Sequence, residues 1–536
     1  MCRSWKAAGR LLAIAVAGLS AGSTSAAADE LAKGFQVPPV SLAAASTEID
    51  PTDDAAADQE PEVLRGEDET GEASPAAPGE AQAEAITSGQ EPESPAEAPA
   101  TQPAVDPVQA AIAKIKRPVP WFSWGADYRI RNEYLHSAFN LNKKSPLGEV
   151  DWLRHRLRAW STISLGDFLD VNTRIVWESR NFFKPEFAQP FDDGEVLFDL
   201  LNATLKNPFD LPIVIVGGRQ EIALGDRWLV FEGTPLDGSR TIYFDAIRLT
   251  TTLAEIQTKI DTIYIEQDAE AENWVRMIKT RNENLITGVP EQRYVTEQDE
   301  RGAIVWVENK SLRATEIDGY FIYKNDDREA PGGLNAEFYT FGTRALHDLN
   351  EHWKIKGEIA AQFGHRMGRN VCGLASLDRL AYHFNDAHKN WLRLDYEYMS
   401  GDRPGTGEYE GFDPLWGRWP RFSELLIYTA SSESRISDLS NLHRVALGHS
   451  VSILPQMEML TDYHLLFADQ NTFRDRPGFS DSGCFRGQLL TWWLKYVITP
   501  QISGHVVAEF FCPGDYYAKS NNDPAVFVRT ELVFSF

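Results

Sequence analysis

The chain has 536 residues, 43% of them hydrophobic, and a formal net charge of −26. So acidic a chain offers no basic surface for phosphate, which excludes nucleic acid as a partner. Beyond Cys2, only Cys372, Cys484 and Cys512 occur, which is neither a disulfide framework nor a metal-binding spacing. A Cys484–Cys512 bridge is one pairing that an oxidising compartment permits.

In chain order, Arg3, Lys6 and Arg10 precede an apolar run, Leu11 to Leu19, and Ala26-Ala27-Ala28 lies just before Asp29. This is the layout of a secretory signal peptide over residues 1–28, too short to span a bilayer. No later stretch approaches ~18 uninterrupted apolar residues, so an exported chain without a transmembrane helix is expected. Residues 29–117 carry 19 Asp and Glu against 5 Lys and Arg. Rich in Ala, Glu and Pro and poor in aromatics, they cannot bury enough apolar area to offset ordering entropy. They read as a disordered acidic spacer, either solvated throughout or tethering the chain to cell wall or a periplasmic export component.

From Pro118 the pattern changes to alternation with period two, which marks strands with one polar and one apolar face. Asp127, Arg129, Arg131 and Glu133 oppose Phe122, Trp124, Tyr128, Ile130 and Tyr134. Arg154, Arg156 and Arg158 oppose Leu153, Leu157 and Ile163. Ile213 to Leu224 follows, with Arg219 and Glu221 against Val214, Val216, Ile222 and Leu224, then Arg240 to Thr251. These two runs alone fit a soluble sandwich as well as a barrel. Further on, Lys356, Glu358 and Gln362 oppose Ile355, Ile359 and Phe363, while Arg393, Asp395 and Glu397 oppose Leu392, Leu394 and Tyr396.

The full set decides the class. Strands of roughly ten residues between polar loops are the signature of a transmembrane antiparallel β-barrel. A Lys or Arg facing lipid at the midplane costs about 2–4 kcal/mol, so alternate arginines must point inward. At ~23 residues per strand and connection, residues 118–536 give about 18 strands. Asp268 to Leu312 reads as a long outside loop with a short helix in NWVRMIKTRNENL, folded over or into the mouth. Gly401 to Arg421 reads as an ordered loop. The last strand, with Val526, Val528, Leu532, Phe534 and Phe536 on one face, has the form recognised by barrel-assembly machinery.

Several segments resemble one family. GRQEIALGDRWLV with RTIYFDAIRL, between Gly217 and Leu249, is similar to the signature of the alginate-export family of outer-membrane β-barrels. WLRLDYEYMSGD (Trp391–Asp402), GFDPLWG (Gly411–Gly417) and FFCPGDYY (Phe510–Tyr517) extend the resemblance over most of residues 121–536. It implies an outer-membrane channel of a Gram-negative-type bacterium, in contact with lipid and exporting an alginate-like anionic polysaccharide.

Arginine suits that cargo, because its planar fork binds carboxylate bidentately and stays charged. The inward-facing candidates are Arg129, Arg131, Arg154, Arg156, Arg158, Arg174, Arg219, Arg248, Arg344 and Arg393. A ring of them at a constriction selects for anions. Asp127, Glu133, Glu221, Glu358, Asp395 and Glu397 hold them in place; equally, such pairs serve only to brace a wall. Two other functions stay open: a general or small-solute porin, and a barrel-embedded hydrolase or surface carbohydrate-binding protein. No H-E-x-x-H, G-x-S-x-G or phosphate-loop motif occurs. No enzyme, metal or cofactor is expected, and His443, His449, His464 and His505 read as lumen or girdle residues.

Overall fold

A computed structural model describes residues 107–186, 196–231, 243–269, 298–329, 333–417, 420–433 and 440–536. The strands come in chain order. They are β1 (Phe122–His136), β2 (Glu149–Leu165), β3 (Leu169–Lys184), β4 (Val196–Lys206), β5 (Ile213–Gln220) and β6 (Phe244–Leu253). Next come β7 (Thr258–Gln267), β8 (Gln298–Asn309), β9 (Thr315–Arg328), β10 (Ala336–Asp348), β11 (Trp353–Arg366) and β12 (Arg369–His383). The last six are β13 (Trp391–Met399), β14 (Leu442–Leu454), β15 (Met457–Phe467), β16 (Phe485–Thr499), β17 (Ile502–Pro513) and β18 (Ala525–Ser535).

Each strand pairs antiparallel with its sequence neighbour, and β1 also pairs with β18, so the 18-stranded sheet closes. Closure removes the two edges that an open sheet would expose. The β1–β18 register runs from Asp127 opposite Ser535 to His136 opposite Val526. The strand number is the expected one.

The two ends of the barrel differ. One carries short connections, such as residues 455–456 and 500–501, and the beginning of β1 and end of β18. The other carries residues 137–148, 221–243, 268–297 and 400–441. Long loops outside and short turns at the periplasm are the rule for such barrels.

The wall is inverted relative to a soluble protein. Leu157 is 47% exposed while its neighbour Arg156 is 3% exposed; Ile247 is 57% exposed while Ala246 is 8% exposed. Phe341, Ile359, Phe363, Leu394, Leu447, Leu490 and Phe510 continue the outward apolar band. That band needs lipid, and the charges turn inward as the alternation requires.

Three expectations are corrected, and one open pairing is decided. β5 ends at Gln220 rather than Leu224, and Ile222 and Leu224 leave the wall to be buried in the interior. Leaving the sheet lets them join Trp228, Leu229 and Val230 in an apolar cluster. Residues 107–116, placed in the extended spacer, form a helix, α1 (Pro107–Lys116). Alanines and straight-chain residues favour it, and Trp124 anchors it through an indole N–H···O=C bond to Ile115 (2.9 Å). Residues 298–309, read as outside loop, are β8, with Glu300, Gly302, Ile304 and Trp306 inward. Cys512 carries a free thiol, so it is not bridged to Cys484. The signal peptide, residues 29–106 and the Asn273–Leu285 helix lie outside the described residues.

Candidate functional site: the barrel interior

Register, not sequence proximity, assembles the largest charged cluster. β1 lies between β18 and β2, so Arg129 faces Arg156 across the β1–β2 ladder and Arg131 faces both Arg154 and Glu531. Arg131 donates to Glu531 at 2.7 Å through Nε. Arg129 and Arg154 share Glu178, at 3.3 and 3.5 Å. Glu133 sits among Arg131, Arg154 and Arg529 at 3.6–3.8 Å and accepts from the Trp152 indole. Arg158 grips Asp127 with Nε and Nη2, at 3.0 and 2.6 Å to one carboxylate oxygen. These charges are removed from water, and only close hydrogen-bonded pairing makes that tolerable.

Around the remaining wall the arginines are paired singly. Arg174 bonds Asp199 at 2.9 Å and also Glu221. Arg219 forms a two-pronged pair with Asp245 at 2.9 and 2.8 Å, its guanidinium also over the Tyr243 ring. Arg248 bonds Asp261, Arg344 bonds Glu316 and Asp318, and Arg393 bonds Asp462. Of the ten arginines singled out from sequence, nine are therefore ion-paired. The tenth, Arg156, makes no ion pair or hydrogen bond among the described residues, and its Nε is buried without a partner. Apart from Arg156, the arginines are thus held by carboxylates, as expected; they stack on β1 and β2, joined by Arg529 of β18 and Arg180 of β3, and the other candidates occur one to a strand.

The carboxylates divide similarly. Asp127, Glu133 and Glu221 meet arginines named above, while Asp395 pairs with Arg379 and Glu397 with Arg444. Glu358 instead accepts from the Tyr320 hydroxyl at 2.8 Å. Sequence reading put Arg529 and Glu531 on the polar face of the last strand without counting them as site residues, and it missed Glu178 and Asp199. Each has the inward parity of its strand, so the signal was present, but its partner is fixed only by cross-strand register.

The opposite part of the interior carries a large apolar cluster beside its ion pairs. Inward Phe244, Ile263, Ile304, Ile322, Phe338 and Val371 pack with Trp228, Leu229, Phe412 and Trp416 from two connections. Trp228 donates to Glu397 at 3.0 Å and Trp416 to Glu300 at 2.9 Å. Since both acceptors line the inner face, the two connections have folded into the barrel. They touch each other: a Cβ on Gly417 would stand 1.7 Å from the Trp228 carbonyl oxygen, so only glycine fits there. Asp226 at the tip of the first connection reaches Arg344 and Lys356.

The second connection then forms α2 (Leu425–Glu433) against the charged side. Glu509 of β17 accepts from Ser423 Oγ at 2.6 Å and from the backbone N–H of Glu424 and Leu425 at 3.0 Å. A carboxylate there satisfies N–H groups that have no partner within the helix and complements its dipole. Glu424 bonds Arg529 at 2.9 Å, and Tyr428 packs with Trp152 and Phe527. The connection expected at Gly401–Arg421 is thus an ordered loop, and it enters the lumen.

At the rim, the Lys143 backbone N–H and ammonium hold Asp523, and these bonds lower the carboxyl below its ordinary range. Glu308, Glu316 and Asp318 bring carboxylate oxygens within 4.8 Å of one another. Lys310 and Arg344 already neutralise them, which fits a braced wall better than a metal centre. His464 and His505 point inward and are buried, as read for the lumen.

A family model described as alginate export matches residues 120–523. No curated protein matches the chain. Solved structures that resemble it include OccK9 (OpdG) of Pseudomonas aeruginosa, 10% identical over 77% of this chain and 98% of that one, with a TM-score of 0.48. OpdO of the same organism is 12% identical over 77% and 97%, also with a TM-score of 0.48. OprD of the same organism is 10% identical over 77% and 95%, with a TM-score of 0.45.

Proposed function

This chain belongs to the alginate export family, and we propose that it is an outer-membrane channel passing an anionic polysaccharide outward along an arginine-rich wall. The observation that carries this reading is the stack Arg154, Arg156 and Arg158 beside Arg129, Arg131 and Arg529 on adjoining strands. A guanidinium carries five N–H donors in one plane, so carboxylates from a passing polymer can exchange with the wall's own. Such exchange gives selectivity without a deep trap, as conduction requires. The lipid-facing band supports a location in the outer membrane of a Gram-negative-type bacterium, where the acidic segment before the barrel would meet a periplasmic export component. Membership of an export family supports a transporter rather than an enzyme.

One observation favours a small-solute porin instead. Nine of the ten arginines are neutralised, and two connections occupy part of the lumen. Single-channel recording of the refolded protein in a planar bilayer separates the two. Anion-selective current blocked much more tightly by polyuronate than by neutral dextran of matched size is the expected result; open current indifferent to polyuronate would leave the small-solute porin. Hydrolysis of the polymer by pure protein would revive the enzyme reading, and binding without conductance the surface binder.

A further inference from the structure

One guanidinium in the charged stack has no carboxylate, and one indole lies on bare backbone four residues along the same strand. On β2, Arg156, Arg158 and Trp160 share the inward face. Asp127 is taken up by Arg158 and Glu178 is divided between Arg129 and Arg154. Arg156, which faces Arg129 on one side and Glu178 on the other, is therefore left without a partner among the described residues. A buried guanidinium held only at a distance by Asp127 and Glu178, with no hydrogen bond of its own, is costly, and its persistence points to a ligand that completes it.

Trp160 is paired across the ladder with Gly125 on β1 and with Arg174 on β3. A Cβ on Gly125 would come within 2.6 Å of the indole, so the glycine is what lets the ring settle against the wall. The indole is only half-buried, and its N–H makes no hydrogen bond among the described residues. At ~3.3 Å per residue, Arg156 and Trp160 stand roughly 13 Å apart along the strand, a span that suits a chain and not a single small anion.

We propose that Arg156 and Trp160 form a two-point subsite for an acidic sugar chain, resting on the channel reading above. The negative face of the indole meets the C–H face of a pyranose ring, while Arg156 takes the carboxylate of another sugar in the same chain. Trp160 recognises sugar, Arg156 recognises charge, and a polymer carrying both engages both.

The test is current block in planar bilayers by size-fractionated oligogalacturonate and by dextran of matched size. Correct folding of each variant is checked by heat-modifiable gel mobility. Trp160→Ala weakens block by both oligomers about three- to tenfold, the loss of one aromatic contact, and Trp160→Phe recovers most of it. Arg156→Gln weakens block by oligogalacturonate about tenfold or more, the loss of one charged hydrogen-bonding group, and leaves dextran unchanged. If wild type is blocked but Trp160→Ala and Arg156→Gln behave identically to it, the subsite is overturned while the channel reading stands. A Trp160→Ala loss confined to the acidic oligomer overturns the stacking role. Failure of oligogalacturonate to block wild type overturns the channel reading and the subsite with it.

Discussion

The inner faces of β1–β3 and of β7–β12 obey the same alternation, yet arginine and glutamate dominate the first, while the second sets isoleucine, phenylalanine and alanine beside ion pairs such as Arg344–Asp318 and Lys324–Asp326. Arg129, Arg131, Arg154 and Glu133 are buried among one another. Ile263, Ile304, Ile322 and Phe338 are buried against Trp228, Phe412 and Trp416. Facing inward is therefore not the same as facing a passage. One part of the interior is dominated by a charged wall, and the other carries the apolar cluster that seats two connections.

The largest effect on that contrast should come from Glu133→Ala. It leaves Arg131, Arg154 and Arg529 without a shared carboxylate, and removing one partner of a buried charge network costs about 3–5 kcal/mol. Urea unfolding in lipid vesicles measures it. A loss no larger than that of a surface pair, about 1 kcal/mol or less, would mean the charged wall is solvated and the contrast is false.

Trp416→Ala tests the apolar half. Emptying a buried tryptophan site costs about 3 kcal/mol or somewhat more, and the loss should appear together with a larger open-channel conductance as the connection loosens. Unchanged conductance would show that the connection does not restrict the passage. Next comes Glu509→Gln, which joins the halves through the start of α2. Exchanging charged hydrogen bonds for neutral ones should cost up to about 1.5–3 kcal/mol and speed amide exchange in residues 424–429 before the strands respond. Equal exchange in both would mean the helix does not open on its own.

The smallest effect belongs to Asp523 at the rim. Its carboxyl lies below the ordinary aspartate range because of its bonds from Lys143. A lowered pKa stabilises above the unfolded value and is lost as pH falls through the folded one. The staple should thus hold at neutral pH and release only below the usual aspartate range. A carboxyl-carbon NMR titration midpoint at or above the ordinary value would contradict it.

Arg154, Arg156 and Arg158 were legible as inward from sequence, because lipid leaves alternate arginines no other side to face. So were Asp127 and Glu133 as their companions. Ile222 and Leu224 were misread for an instructive reason: their alternation continues that of β5 without a break. An apolar side chain satisfies the same pattern whether it faces lipid or a packed interior, and only the contacts of Trp228 and Leu229 separate the two. Trp416 and Leu425 gave no signal of entering the barrel, since a loop's composition does not encode which wall it meets.

The sequence by itself determined the barrel, the number of its strands and the side on which charge lies, all consequences of period-two alternation in a medium that will not accept arginine. Tertiary structure alone decided which charges cancel. Closing β18 onto β1 brings Glu531 to Arg131, residues 400 positions apart in the chain. Packing within the closed barrel turns Glu178, which stands opposite Arg156, to Arg129 and Arg154 instead. Pairing across a sheet is a property of register, and register is fixed only when the whole barrel closes.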